Sequence, residues 1–385
     1  MDVTLNRLDE RYTLGEVLGE GRFSQVFSAR RIELDIEGEV ALKVMELNVV
    51  TEDDEALEML EAECVALRLA SEHERLRHRV VRLHEVFCTP RCVYLALDRV
   101  YGHELFNIIE ERGALPQPFV RAVMVQLFEA LDALHAIGIV HRDIKPENLI
   151  VSHFHMDGAR TVSEPPRLTL IDFGYASTLA PDEMCEGLAG SPEYAAPEVL
   201  SWIEDTEGDG VPYGGAADIW SAGVTAHVML CGELPFELPG GENVSEQDLV
   251  DAARKIRLEF GQAKWKEDGM AAASQLIRAC MHPEMSSRPA ANDALKLAWL
   301  CEAHTVAPKG KSKVAGLSLP VATPAAAAPS DKRRGILPFS MPPLKLKDIT
   351  KKESGAANLP VRDTGFSPRG IFSPRRQQGA DRSKP

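Results

Sequence analysis

From Arg11 to Met45 apolar runs alternate with glycine and charged breaks, and the runs Tyr12 to Leu18, Gln25 to Ala29 and Val40 to Met45 predict three strands of a small sheet. The period then lengthens. From Asp53 to Leu69 the apolar residues Leu57, Leu60, Cys64 and Leu67 fall at three- and four-residue steps, predicting an amphipathic helix that Thr51, Asp53 or Asp54 can cap. Val80 to Phe87 and Cys92 to Leu97 return to strand character. Beyond Glu104 helix dominates: Phe119 to Ile137 ends at Gly138, and helical patterns cover Ala216 to Cys231, Ser245 to Phe260, Met270 to Cys280 and Ala290 to Leu300. Strands first and helices after predict an α+β chain of two lobes.

After Glu302 the pattern breaks down. Residues 303–385 hold 11 of the 25 prolines, no Trp or Tyr, and runs such as PVATPAAAAP, so 301–385 is expected to be a disordered basic tail rich in Pro, Ala and Ser. Charge divides at the same place: 303–385 carries +11 and 1–302 carries −26, within a chain whose net charge is −15. No apolar run suits a signal peptide between Met1 and Arg11, and no window approaches the ~20 apolar residues of a membrane span. Seven scattered cysteines suit a reducing compartment, cytoplasmic or nuclear. Cys88 and Cys92 read as buried strand residues, because no second Cys/His pair follows at metal-ligand spacing. His135, His153, His155 and His304 read as surface residues.

Two features point to phosphate. Leu18-Gly-Glu-Gly-Arg-Phe-Ser-Gln-Val26 lies between two predicted strands, where glycines let backbone amides approach phosphate oxygens, although an ordinary glycine hairpin reads the same way. Ser24 in place of a third glycine argues against a dinucleotide fingerprint. Lys43 sits inside an apolar strand and needs an anion, which a bound phosphate, Glu61 or Glu63 could supply.

His141-Arg-Asp-Ile-Lys-Pro-Glu-Asn148, Ile171-Asp-Phe-Gly174 and Ala196-Pro-Glu198 resemble the catalytic loop, metal-binding turn and activation-segment end of eukaryotic protein kinases. The resemblance runs from Tyr12 to Leu300 and takes in Asp218-Ile-Trp-Ser-Ala-Gly223 and Arg288, which it pairs with Glu198. It implies a two-lobed protein kinase fold over 12–300, with a β-rich N-lobe about 12–98, a helical C-lobe about 102–300 and an N-terminal extension 1–11. Ser152 to Pro166 is an insertion longer than the family usually has. By the same resemblance ATP lies against Leu18, Gly19, Glu20, Gly21, Arg22, Phe23, Ser24, Gln25, Val26, Ala41 and Ile150. Leu97 is the gatekeeper, and backbone groups of Asp98 and Val100 bond the base. Lys43 holds phosphates and is placed by Glu63, chosen over Glu61 because Leu67 follows at the family's spacing. Asn148 and Asp172 bind Mg²⁺, Asp143 accepts the substrate hydroxyl proton and Lys145 steadies the transferring phosphate.

Lys145 within its loop and Gly190-Ser-Pro-Glu-Tyr194 resemble the serine/threonine branch. Gly102-His-Glu-Leu-Phe106, Gly138-Ile-Val-His-Arg142 and Leu230-Cys-Gly-Glu-Leu-Pro-Phe236 are most similar to its calcium/calmodulin-dependent group. The implied substrates are proteins with basic Ser/Thr motifs, an arginine three residues before the target facing Glu104 and Glu147. A pseudokinase scaffold is the alternative, opposed by the complete set Lys43, Glu63, Asp143, Asn148 and Asp172. Calmodulin stays open as a partner, although a basic amphipathic target helix is hard to draw where prolines interrupt Leu337 to Leu344. The tail repeats Phe-Ser-Pro-Arg, offering Ser367 and Ser373 to proline-directed kinases, and its charge suggests that it folds back on the acidic body and lowers activity. Nucleic acid is not favoured, because aromatic interleaving is sparse. Arg142 is expected to pair with an activation-segment carboxylate, chiefly Glu186, in place of a phosphate.

Overall fold

A computed structural model describes residues 8–32, 39–152, 165–203, 210–236, 263–267 and 269–301, with single positions 248, 251, 258 and 260 between them. The predicted tail, most of the 152–166 insertion and nearly all of the predicted helix Ser245 to Phe260 lie outside the described residues.

A helical turn α1 (Leu8–Arg11) leads into β1 (Tyr12–Glu20), β2 (Ser24–Arg31), β3 (Glu39–Glu46), the short α2 (Leu47–Glu52), α3 (Asp54–Glu72), β4 (Leu83–Cys88) and β5 (Cys92–Asp98). The five strands form one antiparallel sheet in the order β1-β2-β3-β5-β4. Period two is realised on its two faces: Ala41 and Met45, with Val93, Leu95 and Leu97, join the main core, whereas Val40, Leu42, Tyr94 and Ala96 point the other way. Cys88 and Cys92 are both buried, on opposite faces. The outer face is closed by stacking of Tyr12, Phe87 and Tyr94, with Arg11 lying over Phe87. Glu85 ties this cap together, accepting from Tyr12 Oη and from Arg11 at 2.5 Å.

Asp53 caps α3, its side chain accepting from Ala56 N at 3.1 Å. The face bearing Leu60, Cys64 and Leu67 is buried against the sheet. The predicted strand from Val80 begins only at Leu83: Val80 makes an isolated parallel bridge to Leu170, and Val81 N donates to Leu170 O, so this run is spent joining the lobes.

The second lobe continues through β6 (His103–Glu104), α4 (Leu105–Arg112), α5 (Gln117–Ala136), β7 (Ile139–Val140), β8 (Leu149–Ser152), β9 (Arg167–Leu170), β10 (Ser177–Thr178), α6 (Pro197–Leu200), α7 (Ala216–Cys231) and α8 (Met270–Cys280). Gly138 ends α5 at φ 78°, and an added Cβ there would meet Leu179 O at 2.4 Å, so glycine is required. The predicted helix from Ala290 is two short pieces, α9 (Ala291–Ala294) and α10 (Ala298–Cys301). Lys296 and Leu297 donate to carbonyls three residues back, which tightens the turn and buries Trp299 and Leu300. α7 is buried almost all round, and one apolar core runs from the sheet through α3 and α5 to Leu300. Among the described residues no helix is long and apolar enough to cross a membrane.

Candidate active site

The cleft lies between the sheet and the helical lobe, and two short antiparallel pairings shape its floor. β7 pairs with β10, and β8 lies between β6 and β9, so the loop from His141 to Asn148 and the turn after Leu170 are fixed side by side.

Lys43 Nζ, on β3, donates to both Glu63 oxygens at 2.7 and 2.8 Å and to Asp172 Oδ1 at 3.0 Å. Glu63 is buried at 2% exposure; Glu61, about 200° away around the helix, takes no part in this pairing. Burial opposes the charge of Lys43, but Asp172 and Glu63 outweigh it and raise its pKa; Lys43 in turn holds Asp172 down at about 2. Asp172 and Arg142 are non-glycine residues at φ 58° and 65°, conformations that persist only where the surroundings impose them. Gly174 N donates to Asp172 Oδ1 at 3.3 Å, and Phe173 packs edge-on to the buried His141 ring.

Asp218 imposes the loop conformation. Its carboxylate accepts from His141 N at 2.9 Å, Arg142 N at 2.8 Å and His135 Nε2 at 2.8 Å. Burial opposes its charge, but these bonds prevail and lower its pKa. His135, expected at the surface, is only partly exposed, because α5 turns its ring onto this carboxylate.

Three donors hold Asp143: Ser191 N and Asn148 Nδ2 at 2.9 Å, and Lys145 Nζ at 2.9 Å, which also donates to Ser191 Oγ at 2.6 Å. Gly190, at φ 78°, brings Ser191 there, since an added Cβ would lie 2.1 Å from Arg142 O. The Gly190-Ser-Pro signal was visible in the sequence, but not that Ser191 closes on Asp143 and Lys145.

Leu18, Val26 and Val100 are half-buried against the core, and Ala41 sits opposite Leu97 across β3 and β5. Ile150 is half-buried on β8. Asp98 N donates to Arg82 O at 2.9 Å. In the β1–β2 turn, Gly21 N donates to Ser24 O at 2.7 Å, and an added Cβ at Gly19 would meet nothing within 4 Å, leaving the space over the loop open. Phe23 packs on the core, whereas Glu20 and Gln25 are exposed and bond each other, and exposed Arg22 pairs with Glu55. Glu104 and Glu147 are half-buried, and burial raises both pKa values; Glu147 Oε2 is buried without a hydrogen-bond partner.

The expected Arg142–Glu186 pair does not form. Arg142 Nε donates to Tyr175 O at 2.6 Å and Nη1 to Tyr213 Oη at 3.4 Å, while Glu186 is exposed. Buried Tyr213 pins the segment instead: it exchanges backbone bonds with Cys185 at 2.7 and 3.0 Å and donates its hydroxyl to Gly187 O at 2.8 Å. Arg288 forks onto Glu198 at 2.6 and 2.8 Å, closing the far end of this segment as the resemblance implied.

A two-lobed fold with a buried Lys–Glu–Asp arrangement facing an Asp–Lys–Asn loop defines a phosphotransfer class of protein. The protein kinase domain family matches residues 12–300. Calcium/calmodulin-dependent protein kinase type 1 of Macrobrachium nipponense is 33% identical over 294 residues, covering 76% of each chain. CBL-interacting protein kinase 14 of Oryza sativa subsp. japonica is 34% identical over 287 residues, 73% of this chain and 56% of its own. CBL-interacting serine/threonine-protein kinase 16 of Arabidopsis thaliana is 35% identical over 241 residues, 60% and 46%. The chain thus spans about half the length of these two CBL-interacting relatives. It belongs to the protein kinase family, as a serine/threonine protein kinase similar to the calcium/calmodulin-dependent group.

Proposed function

We propose that the chain transfers the γ-phosphate of ATP, with Mg²⁺, to Ser or Thr in basic protein segments. The observation that carries this is the convergence of Lys43, Glu63 and Asp172 with Asp143, Lys145 and Asn148 in one cleft. The donor set suits a hard cation: Asp172 stays ionised, and Asn148 spends its amide nitrogen on Asp143, leaving its oxygen for a metal. Mg²⁺, when bound, neutralises charge on the phosphate oxygens. Lys43 orients the α- and β-phosphates, and the open space at Gly19 admits them beside backbone amides. Leu18, Val26, Ala41 and Ile150 enclose the base, beside Leu97, with backbone groups of Asp98 and Val100 to bond it.

Asp143 aligns the substrate hydroxyl and takes its proton as the oxygen–phosphorus bond forms and the β–γ bridging bond breaks. Lys145 steadies the group in transit. Glu104 and Glu147 face an arginine of the substrate, and the unpaired Glu147 oxygen supports that reading.

A degenerate Ser/Thr peptide library, phosphorylated by the purified chain with and without Ca²⁺/calmodulin, tests this. Activity dependent on Mg²⁺, with preference for arginine three residues before the target, is expected. Lys43→Met and Asp172→Ala serve as blanks, and wild-type activity at blank level would leave the scaffold reading in its place.

A further inference from the structure

Arg22, which the resemblance set beside ATP, also reaches out of the β1–β2 loop to α3. Its guanidinium lies 4.6 Å over the Phe23 ring and forks onto Glu55, Nη1 to Oε1 at 2.6 Å and Nη2 to Oε2 at 3.0 Å. Glu55 stands in the first turn of α3, eight residues before Glu63, or about two turns. The helix is therefore held to the cleft twice: inside by Glu63 on Lys43, outside by Glu55 on the loop tip.

Nearby, Tyr175 O accepts from Arg142 Nε at 2.6 Å, which ties the residue after Gly174 to the loop that carries Asp143. The loop tip and α3 are thus joined through Arg22 and Glu55, and the loop carrying Asp143 is joined to the segment after Gly174 through Arg142.

We propose that Arg22 is a positioning residue that latches the phosphate loop shut over bound nucleotide only while α3 stands in the phosphotransfer arrangement. Swinging α3 outward would carry Glu55 off with Glu63, so that the turn which breaks the Lys43 pair also frees the loop. Nucleotide residence is thereby coupled to helix position. The inference rests on reading the β1–β2 loop as the ATP phosphate site.

Arg22 and Glu55 side chains are each 53% exposed, so the pair is screened and the expected effect is modest. Arg22→Gln and Glu55→Gln should each raise KM for ATP about three- to fivefold, with kcat changed less than about twofold. Arg22→Glu should raise KM further, and the swap Arg22→Glu/Glu55→Arg should return it to within about twofold of wild type, an outcome that loss of local structure would not give. The wild-type advantage over Arg22→Gln should shrink at high salt. Unchanged KM in Arg22→Gln and Arg22→Glu, or a swap no better than Arg22→Glu alone, overturns the latch. Calorimetry of wild type with Mg-ATP separates the two levels: wild type that binds nucleotide while Arg22→Gln binds it equally well defeats only the latch, and wild type that binds none defeats the phosphate-site reading with it.

Discussion

Lys43 shows how one side chain is governed by its surroundings. An ammonium inside an apolar strand is costly unless carboxylates face it, and here two do, so that Lys43 stays charged and Asp172 stays ionised down to about pH 2. Glu104 and Glu147 illustrate the opposite balance, because burial raises their pKa values, at Glu147 in spite of the nearby Lys145. They therefore protonate at a higher pH than exposed glutamates and recover charge only above it. The expected consequence is a KM for an arginine-containing peptide that climbs as pH falls through that raised range, while a peptide with alanine in place of arginine shows no such climb. Initial rates between pH 5 and 8 measure it, and Glu104→Gln should flatten the difference.

At the scale of elements, the activation segment is held by packing and backbone pairing. Tyr213 takes the position at Arg142 that a loop carboxylate was expected to hold, and binds Cys185 and Gly187 as well. Tyr213→Phe removes one hydroxyl, roughly a 1 kcal/mol hydrogen bond, so kcat/KM for peptide should fall about fivefold with the fold intact. Phosphatase-treated enzyme, checked by mass spectrometry, should retain most wild-type activity. The Arg288–Glu198 fork is different in kind, its side chains being 0% and 6% exposed. Glu198→Ala leaves a buried cation unpaired and should cost about 3–5 kcal/mol in denaturant unfolding. Arg288→Lys should recover little of it, because a point charge cannot reproduce two parallel bonds.

Across the whole molecule, charge is separated along the chain, with −26 over residues 1–302 and +11 over 303–385. Opposite charge on one chain favours association at low ionic strength and loses force within a Debye length of about 8 Å at physiological salt. Removing the residues after Glu302 should raise kcat/KM for a basic peptide at low salt, with the gain fading toward 0.5 M NaCl. Equal rates for both forms at every salt concentration would show that the tail does not compete for the cleft.

The strands, the main helices and the chemistry of the cleft were legible in the sequence because their signals are local. The apolar runs of β3 and β5 are contiguous, Asp53 stands beside the helix it caps, and His141 to Asn148 is a contiguous loop. Pairings across long separations were legible only where the family resemblance supplied them, as for Arg288 with Glu198. Which acid faces Lys43 depended on how α3 rotates when Leu60, Cys64 and Leu67 pack, and a motif comparison was needed to prefer Glu63 over Glu61. Asp218 binding His135 and Arg142, Tyr213 displacing Glu186, and Arg22 reaching Glu55 each join residues 33 to 83 positions apart in the chain. Periodicity also overran its reach at Val80 and Ala290, where apolar residues serve a lobe junction and a tight turn. Side-chain type and local period determine which elements can form; only their packing decides which charged groups meet, because that depends on rotations and approaches to which no short stretch of sequence is sensitive.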